Sequence, residues 1–277
     1  MNSNKLSWVE ISLPQLQKNL GAVRRRIPSS TRIIAVLKAN AYGHGVQRIS
    51  ESLTAGGVYN FAVATLEEAM ELRSWVSKGK ILVFNGCRKD EQKLFKKYNL
   101  TASLFNRVAP PQGVEVELKI DTGMGRLGIP WNEVGNFLDS PRFHIAGLFS
   151  HFSCAHEDSE FTRLQIERFK QATAKFPYPR HISNSAGLQF PEAHLDAVRL
   201  GLALYGIPPC PAVDYVKPIL RWKTRILSLK RLPKGHAVGY CGTFKTSRES
   251  CLGILPVGYA NGYGWGLSNC GQVRIRK

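Results

Sequence analysis

Apolar, β-rich runs recur along the chain with helical stretches between them, and this alternation restricts the fold more than any other feature. Eight such runs stand at Ile33–Leu37, Phe61–Ala64, Ile81–Phe84, Leu100–Phe105, Val114–Ile120, Ile145–Phe149, His181–Ser183 and Val198–Leu204. Near-continuous apolar runs mark strands buried on both faces, as in parallel sheets covered by helices. The intervening stretches carry amphipathic spacing. In "TLEEAMELRSWV", Leu66, Met70 and Trp75 are expected on one face, with Glu67, Glu68, Glu71 and Arg73 mostly toward water. Eight such units predict an α/β fold, a (β/α)8 TIM-type barrel, and 277 residues accommodate it with a further piece.

One unit departs from the pattern. Only "NRVAPPQG" separates Phe105 from Val114, whereas a parallel crossover normally needs about a dozen residues and a helix. Pro110-Pro111 excludes a helix there. Either this unit lacks its helix or the fourth strand is misplaced.

After Gly206 the texture changes. "IPPCPAVDYVKP" reads as a proline-rich joint, and short strand-like pieces punctuated by glycine follow: "RWKTRILSLKRLP", "AVGYCGTFKT", "SCLGILPVGYANGYG". The expected domains are residues 8–213, the barrel, and residues 214–277, a β domain. The closing "VRIRK" reads as a strand with no turn after it, so the β domain is expected to be incomplete.

Composition narrows the function. The formal charge of +18 comes from 38 Lys and Arg against 20 Asp and Glu. The cations are scattered, the longest run being Arg24-Arg25-Arg26, and no nucleic-acid motif accompanies them, so a solvated basic face is expected rather than a nucleic-acid partner. With no span-length apolar window and no signal-like N-terminus, a cytoplasmic protein without a membrane partner is expected. Cys87, Cys154, Cys210, Cys241, Cys251 and Cys270 form no CxxC pair or Cys/His cluster. They read as reduced thiols, with no metal site.

In a barrel of this kind the active site lies at the C-terminal ends of the strands. That rule gathers Lys38 after the first strand, Arg126 in "DTGMGRLG", His151 in "SHF", Asn184 and Ser185 in "NSAG", and Arg199 with Gly201 on the last strand. Together they suit an anionic ligand that a lysine holds as an imine. Each also has a plain structural reading. Lys38 could be a surface lysine, His151 a packed histidine and "DTGMGRLG" a tight turn whose Arg126 pairs with an acid. Asn184 or Ser185 could cap a helix. Arg199 could serve a buried ion pair, and Tyr240 could be a core aromatic of the β domain.

The motifs "AVLKANAYGHG", "LKIDTGMGRLG", "SHFSCAHE", "HISNSAG", "VRLGLALYGI", "AVGYCGTF" and "PVGYANGYG", in this order, resemble the alanine racemase family from about Trp8 onward. The resemblance implies a pyridoxal 5'-phosphate enzyme that interconverts L- and D-alanine for peptidoglycan. Lys38 would hold the cofactor as an imine. Tyr42, Ser185, Gly201 and Leu202 would take its phosphate, with Asn184 beside them and His151 beside the ring. Arg126 would bind the substrate carboxylate, and Lys119 matches a position that family members often carbamylate. Arg199 would face the ring nitrogen and, unable to accept its proton, leave it neutral. Lys38 and Tyr240 would be the two bases, for D- and L-alanine respectively, with Tyr240 donated across a homodimer.

The resemblance also sets out departures. Family members continue past the last residue here with a carboxylate-binding "MDQ" segment and a late tyrosine, and Asn261 stands where aspartate is usual. A racemase of weak or absent activity is therefore the alternative expectation, as is preference for another amino acid. A related decarboxylase would want an acid in place of Arg199. A small pyridoxal-phosphate-binding protein would lack "AVGYCGTF".

Overall fold

Short polar side chains set where helices begin. Ser12 accepts the Gln15 N–H at 3.3 Å and opens Leu13–Arg24, and Asp158 accepts the Phe161 N–H at 2.9 Å and opens Ser159–Thr173. Thr65 opens Leu66–Trp75 through a reciprocal capping box with Glu68. The structure, a computed structural model, describes residues 5–138 and 143–275.

All eight expected strands form: Arg32–Val36, Asn60–Val63, Lys80–Val83, Thr101–Leu104, Glu115–Asp121, Ile145–Phe149, Arg180–His181 and Ala197–Leu200. From the first to the seventh each pairs parallel with the next, and the eighth pairs parallel with the first. Two backbone bonds close the remaining gap, Asp196 N–H to Arg180 O at 3.1 Å and Arg199 N–H to Ser183 O at 3.0 Å. The fold is the predicted parallel barrel. Ile34, Val36, Ala62, Leu82, Phe149 and Ala197 cluster together, with Tyr42 and Phe84 packed against them.

Four local expectations are resolved or corrected. Thr101–Leu104 lies directly beside Glu115–Asp121, and residues 105–114 contain no helix, so the fourth unit has lost its helix and the strand was correctly placed. The eighth strand stops at Leu200, because "LALY" is helical from Leu202 to Tyr205. At the seventh, only Arg180–His181 joins the ladder. On Leu66–Trp75 the buried stripe is Leu66, Ala69 and Leu72, while Trp75 is 43% exposed. Arg73, expected in water, instead donates to the carbonyls of Val76, Gly79, Tyr98 and Asn99 at 2.9–3.2 Å.

Contacts divide the chain into Ser12–Ile219, the barrel unit, and a second unit made of the residues up to Ile11 with those from Leu220 onward. The sequence boundaries, 8–213 and 214–277, differ chiefly in the strand Ser7–Ile11. It pairs antiparallel with Leu220–Thr224, a long-range pairing that no local pattern announces. The second unit also contains the antiparallel pairs Ser228–Leu232 with Ser250–Ile254 and Ala237–Val238 with Phe244–Lys245. Of the strand expected in "VRIRK", residues 273–275 are irregular and 276–277 lie outside the described residues. No described helix is long and apolar enough to cross a membrane.

Candidate active site

The first barrel strand runs through Leu37 into Lys38, and there the backbone changes hand. Ala39, Asn40, Ala41 and Tyr42 have φ of 52°, 53°, 54° and 53°. Four consecutive left-handed L-residues cost about 1–2 kcal/mol each, and strain of this kind gathers at functional sites. Local bonds hold the turn: Ala41 N–H to Leu37 O (2.9 Å), Gly43 N–H to Ala39 O (2.8 Å) and Val46 N–H to Asn40 Oδ1 (2.7 Å). The Ala39 N–H donates to Glu68 Oε1 at 2.6 Å. Lys38 is exposed, with its Nζ 5.8 Å from the centre of the Tyr42 ring.

Arg199 is buried at 3% exposure. One terminal nitrogen donates to His181 Nδ1 (2.7 Å) and His181 O (3.2 Å); the other lies within reach of Ser150 O (2.6 Å), Ile182 O (3.1 Å) and His151 Nδ1 (3.1 Å). Its Nε–H has no partner among the described residues. Burial brings the guanidinium down to about 10, with Glu117 working the other way, so it stays charged at neutral pH.

Four charged side chains alternate along the fifth strand, Glu115, Glu117, Lys119 and Asp121, and so share one face of it. Asp121 folds the glycine-rich turn after it by accepting the N–H groups of Gly123, Met124 and Gly125 at 2.9–3.2 Å. Arg126, at the end of that turn, is exposed and has no acidic partner among the described residues, so the turn is real but the ion pair is not. Burial first, then Arg126 and Arg199, push Lys119 down to about 8, against Asp121. His151 falls to about 3 through burial and then Arg199, Lys119, Arg126 and Lys38. Gln165 fastens the histidine's loop, donating to His151 O and Thr122 Oγ1, both at 3.2 Å.

Beside these cations lies a cradle of hydroxyls and amides. Ser185 Oγ accepts the N–H groups of Gly201 (3.3 Å) and Ala203 (3.2 Å). A Cβ at Gly201 would stand 2.8 Å from the Tyr42 hydroxyl, so only glycine lets that hydroxyl approach. Leu202, half-buried, follows at the start of the helical turn. Asn184 Oδ1 accepts the Gly187 N–H at 2.9 Å, the turn-capping role its plain reading gives.

The barrel thus brings together Lys38, Tyr42, Lys119, Arg126, His151, Ser185, Arg199 and Gly201. Tyr240 belongs to the second unit, where it is 95% exposed and so no core aromatic. It sits between Gly239 (φ 74°) and Cys241 (φ 59°). Sequence reasoning passed over His181, Glu117, Lys80 and Glu68. The signal for Glu117 was present: a carboxylate two residues before Lys119, in the middle of an apolar strand.

A parallel barrel whose first strand delivers a lysine to a cationic mouth, next to a hydroxyl-and-amide cradle, defines an enzyme of the class that carries an anionic cofactor on a lysine. Comparison with known proteins narrows the class. The alanine racemase N-terminal domain profile matches residues 11–209 and the alanine racemase C-terminal domain profile residues 219–277. Alanine racemases of Symbiobacterium thermophilum and Halothermothrix orenii are each 38% identical, over 98% of this chain and 78% of theirs. The E. faecalis alanine racemase structure superposes with a TM-score of 0.84 at 30% identity, covering 96% of this chain and 79% of that one. The Bartonella henselae structure, which has covalently bound pyridoxal phosphate, gives 0.85 at 25% identity, with 96% and 79% covered. The chain belongs to the alanine racemase family, whose members are pyridoxal-phosphate-dependent isomerases.

Proposed function

We propose that the chain interconverts L- and D-alanine by a two-base mechanism, as a cytoplasmic homodimer supplying D-alanine for peptidoglycan, with pyridoxal phosphate carried on Lys38. The described residues fit that group. The phosphate needs hydroxyl and amide donors, and Tyr42, Ser185 and the backbone at Gly201 and Leu202 supply them, with Asn184 alongside. An anionic ring system needs cations, and Lys38, Lys119, Arg126 and Arg199 all bear on His151. When bound, pyridoxal phosphate draws electrons from the substrate Cα and makes its proton removable.

The observation that carries this reading is the fixing of Arg199. Both its terminal nitrogens are engaged by protein acceptors, so the Nε–H is the donor that would serve the cofactor's ring nitrogen. A guanidinium cannot take a proton from that nitrogen, which would therefore stay neutral and keep the chemistry to removal and return of the Cα proton. Lys38 would move that proton for D-alanine and Tyr240 for L-alanine. The 95% exposure of Tyr240 supports its donation to a second copy of the chain. Arg126, with no acidic partner among the described residues, would hold the substrate carboxylate, and His151 would lie beside the ring.

Circular dichroism of L-alanine incubated with the cofactor-loaded protein tests the activity, and borohydride reduction with peptide mapping tests the anchor. Loss of optical activity and a label on Lys38 are expected. A label on another lysine would overturn the assignment.

A further inference from the structure

Resting on the reading of Lys38 as the cofactor lysine and base, we infer that Glu68 is a positioning residue for Lys38. Its two carboxylate oxygens go to different barrel units. Oε1 accepts the Ala39 N–H at 2.6 Å, one residue past Lys38, and Oε2 accepts the Ala64 N–H at 2.7 Å, past the end of the second strand. The carboxylate therefore ties together the C-terminal ends of two neighbouring strands at the barrel mouth.

The bond to Ala39 matters because of where the backbone changes hand. Ala39 is the first of the four left-handed residues, and the other hydrogen bonds of the turn, those of Ala41, Gly43, His44, Gly45 and Val46, stay within residues 37–46. Among the described residues, Glu68 alone brings a side-chain hydrogen bond to this turn from another unit. Alanine has no intrinsic preference for the left-handed region, so the turn needs an outside anchor where it starts. The torsions there aim the Cα–Cβ bond of Lys38. A carboxylate suits the position because both oxygens accept; glutamine would offer one acceptor and turn an NH₂ group toward an N–H.

Glu68 also caps its own helix, donating its backbone N–H to Thr65 Oγ1 at 3.3 Å, so the test must separate capping from positioning. Glu68→Gln is compared with Thr65→Ala, which weakens the cap and leaves the bond to Ala39. In the cofactor-free proteins, amide hydrogen exchange across residues 38–43 is expected to quicken about 10-fold in Glu68→Gln and little in Thr65→Ala. In the loaded enzymes, Glu68→Gln should lower kcat/KM about 10-fold, within the range that sub-ångström misplacement produces. The fall must be equal in both directions, because L- and D-alanine are equally stable. The distinguishing readout is the substrate deuterium isotope effect: it should rise for D-[2-²H]alanine, whose proton Lys38 removes, and not for L-[2-²H]alanine.

Unchanged exchange and isotope effects in Glu68→Gln, or the same changes in Thr65→Ala, would overturn the inference and leave Glu68 a helix cap. Borohydride labelling of the parent protein keeps the two readings apart. If Lys38 takes no label, both fall; if it does and Glu68→Gln behaves like the parent, only the role of Glu68 falls.

Discussion

Glu117 Oε2 and His181 Nε2 lie 2.8 Å apart inside the closed barrel, both side chains less than 10% exposed. Because an arginine nitrogen must donate to His181 Nδ1 at 2.7 Å, that atom is an acceptor and the proton of the neutral imidazole sits on Nε2, facing Glu117. Lys80 Nζ holds the other carboxylate oxygen at 3.0 Å. A chain from Lys80 through Glu117 and His181 to Arg199 thus crosses the interior, with His181 stacked on Phe149 at 5.2 Å. Burial pushes His181 down. For Glu117, burial works upward, and the hydrogen bonds from His181 and Lys80 together with the Lys80 charge outweigh it, holding the carboxyl well below its usual range.

Glu117 supplies a buried negative charge that acts on Arg199. Replacing it by leucine leaves a buried guanidinium uncompensated, for which about 3–5 kcal/mol of stability is expected to be lost. Glu117→Gln should lose less, because its carbonyl oxygen still accepts from His181 Nε2. Denaturant midpoints of the cofactor-free proteins check both values; because both variants remove the charge, equal loss would show that the hydrogen bond to His181 is immaterial and that the lost charge carries the cost.

The eight strands were legible because a strand buried on both faces leaves a dense apolar run, as in "RIIAV" and "NFAV". The same rule misled at Val198–Leu204, where an apolar helical turn follows an apolar strand without punctuation. It cannot see the left-handed turn at all, since Ala39 and Ala41 carry no sequence mark of that conformation. At the site, strand ends sufficed to collect Lys38, Arg126, His151 and Arg199. His181 and Glu117 escaped because their roles depend on which strands become neighbours: residues 117 and 181 meet only once the barrel closes.

Stability should fall on acidification from pH 7 to 5. Between the ordinary histidine value of 6.5 and about 3, the unfolded chain binds a proton at His151 that the folded chain does not. Stability therefore rises with pH across that window and is lost as pH falls. At about 1.4 kcal/mol per pKa unit, His151 alone contributes a loss of about 2 kcal/mol by pH 5. His181, also lowered, acts in the same direction. Urea midpoints measured across this range should show a smaller slope in His151→Asn; an identical slope would remove His151 from the account.

Gly201→Ala should disturb the cradle while leaving the barrel folded. The backbone there has φ −114°, so alanine meets no left-handed strain, and the clash is with the Tyr42 side chain, its hydroxyl 2.8 Å and its Cζ 3.1 Å from the new Cβ. If Tyr42 donates to the phosphate as proposed, displacing it removes that donor, and cofactor affinity is expected to fall about 10-fold, the loss of roughly one hydrogen bond to a charged group. Absorbance titration of the cofactor-free protein measures this. Undiminished affinity would show that Tyr42 takes no part.

Lys119 is proposed to become a carbamate. The reaction needs a neutral amine, whose nitrogen attacks the carbon of CO₂ while a proton leaves to solvent. Burial, Arg126 and Arg199 bring Lys119 down to about 8, so a useful fraction is neutral at pH 7–8, where an ordinary lysine is almost wholly charged. The product carries a negative charge where Arg126 has no acidic partner among the described residues, and that attraction favours the carbamate over the free amine. In ¹³C-bicarbonate at pH 8 the protein should show a carbamate carbon resonance that vanishes in Lys119→Ala. It should weaken in Arg126→Ala, which removes the cation that would pair with the carbamate, and weaken in the parent as pH falls below about 7 and the amine protonates. A resonance that survives Lys119→Ala would place the modification on another amine, and none at pH 8 would leave Lys119 an unmodified amine that supplies no negative partner for Arg126.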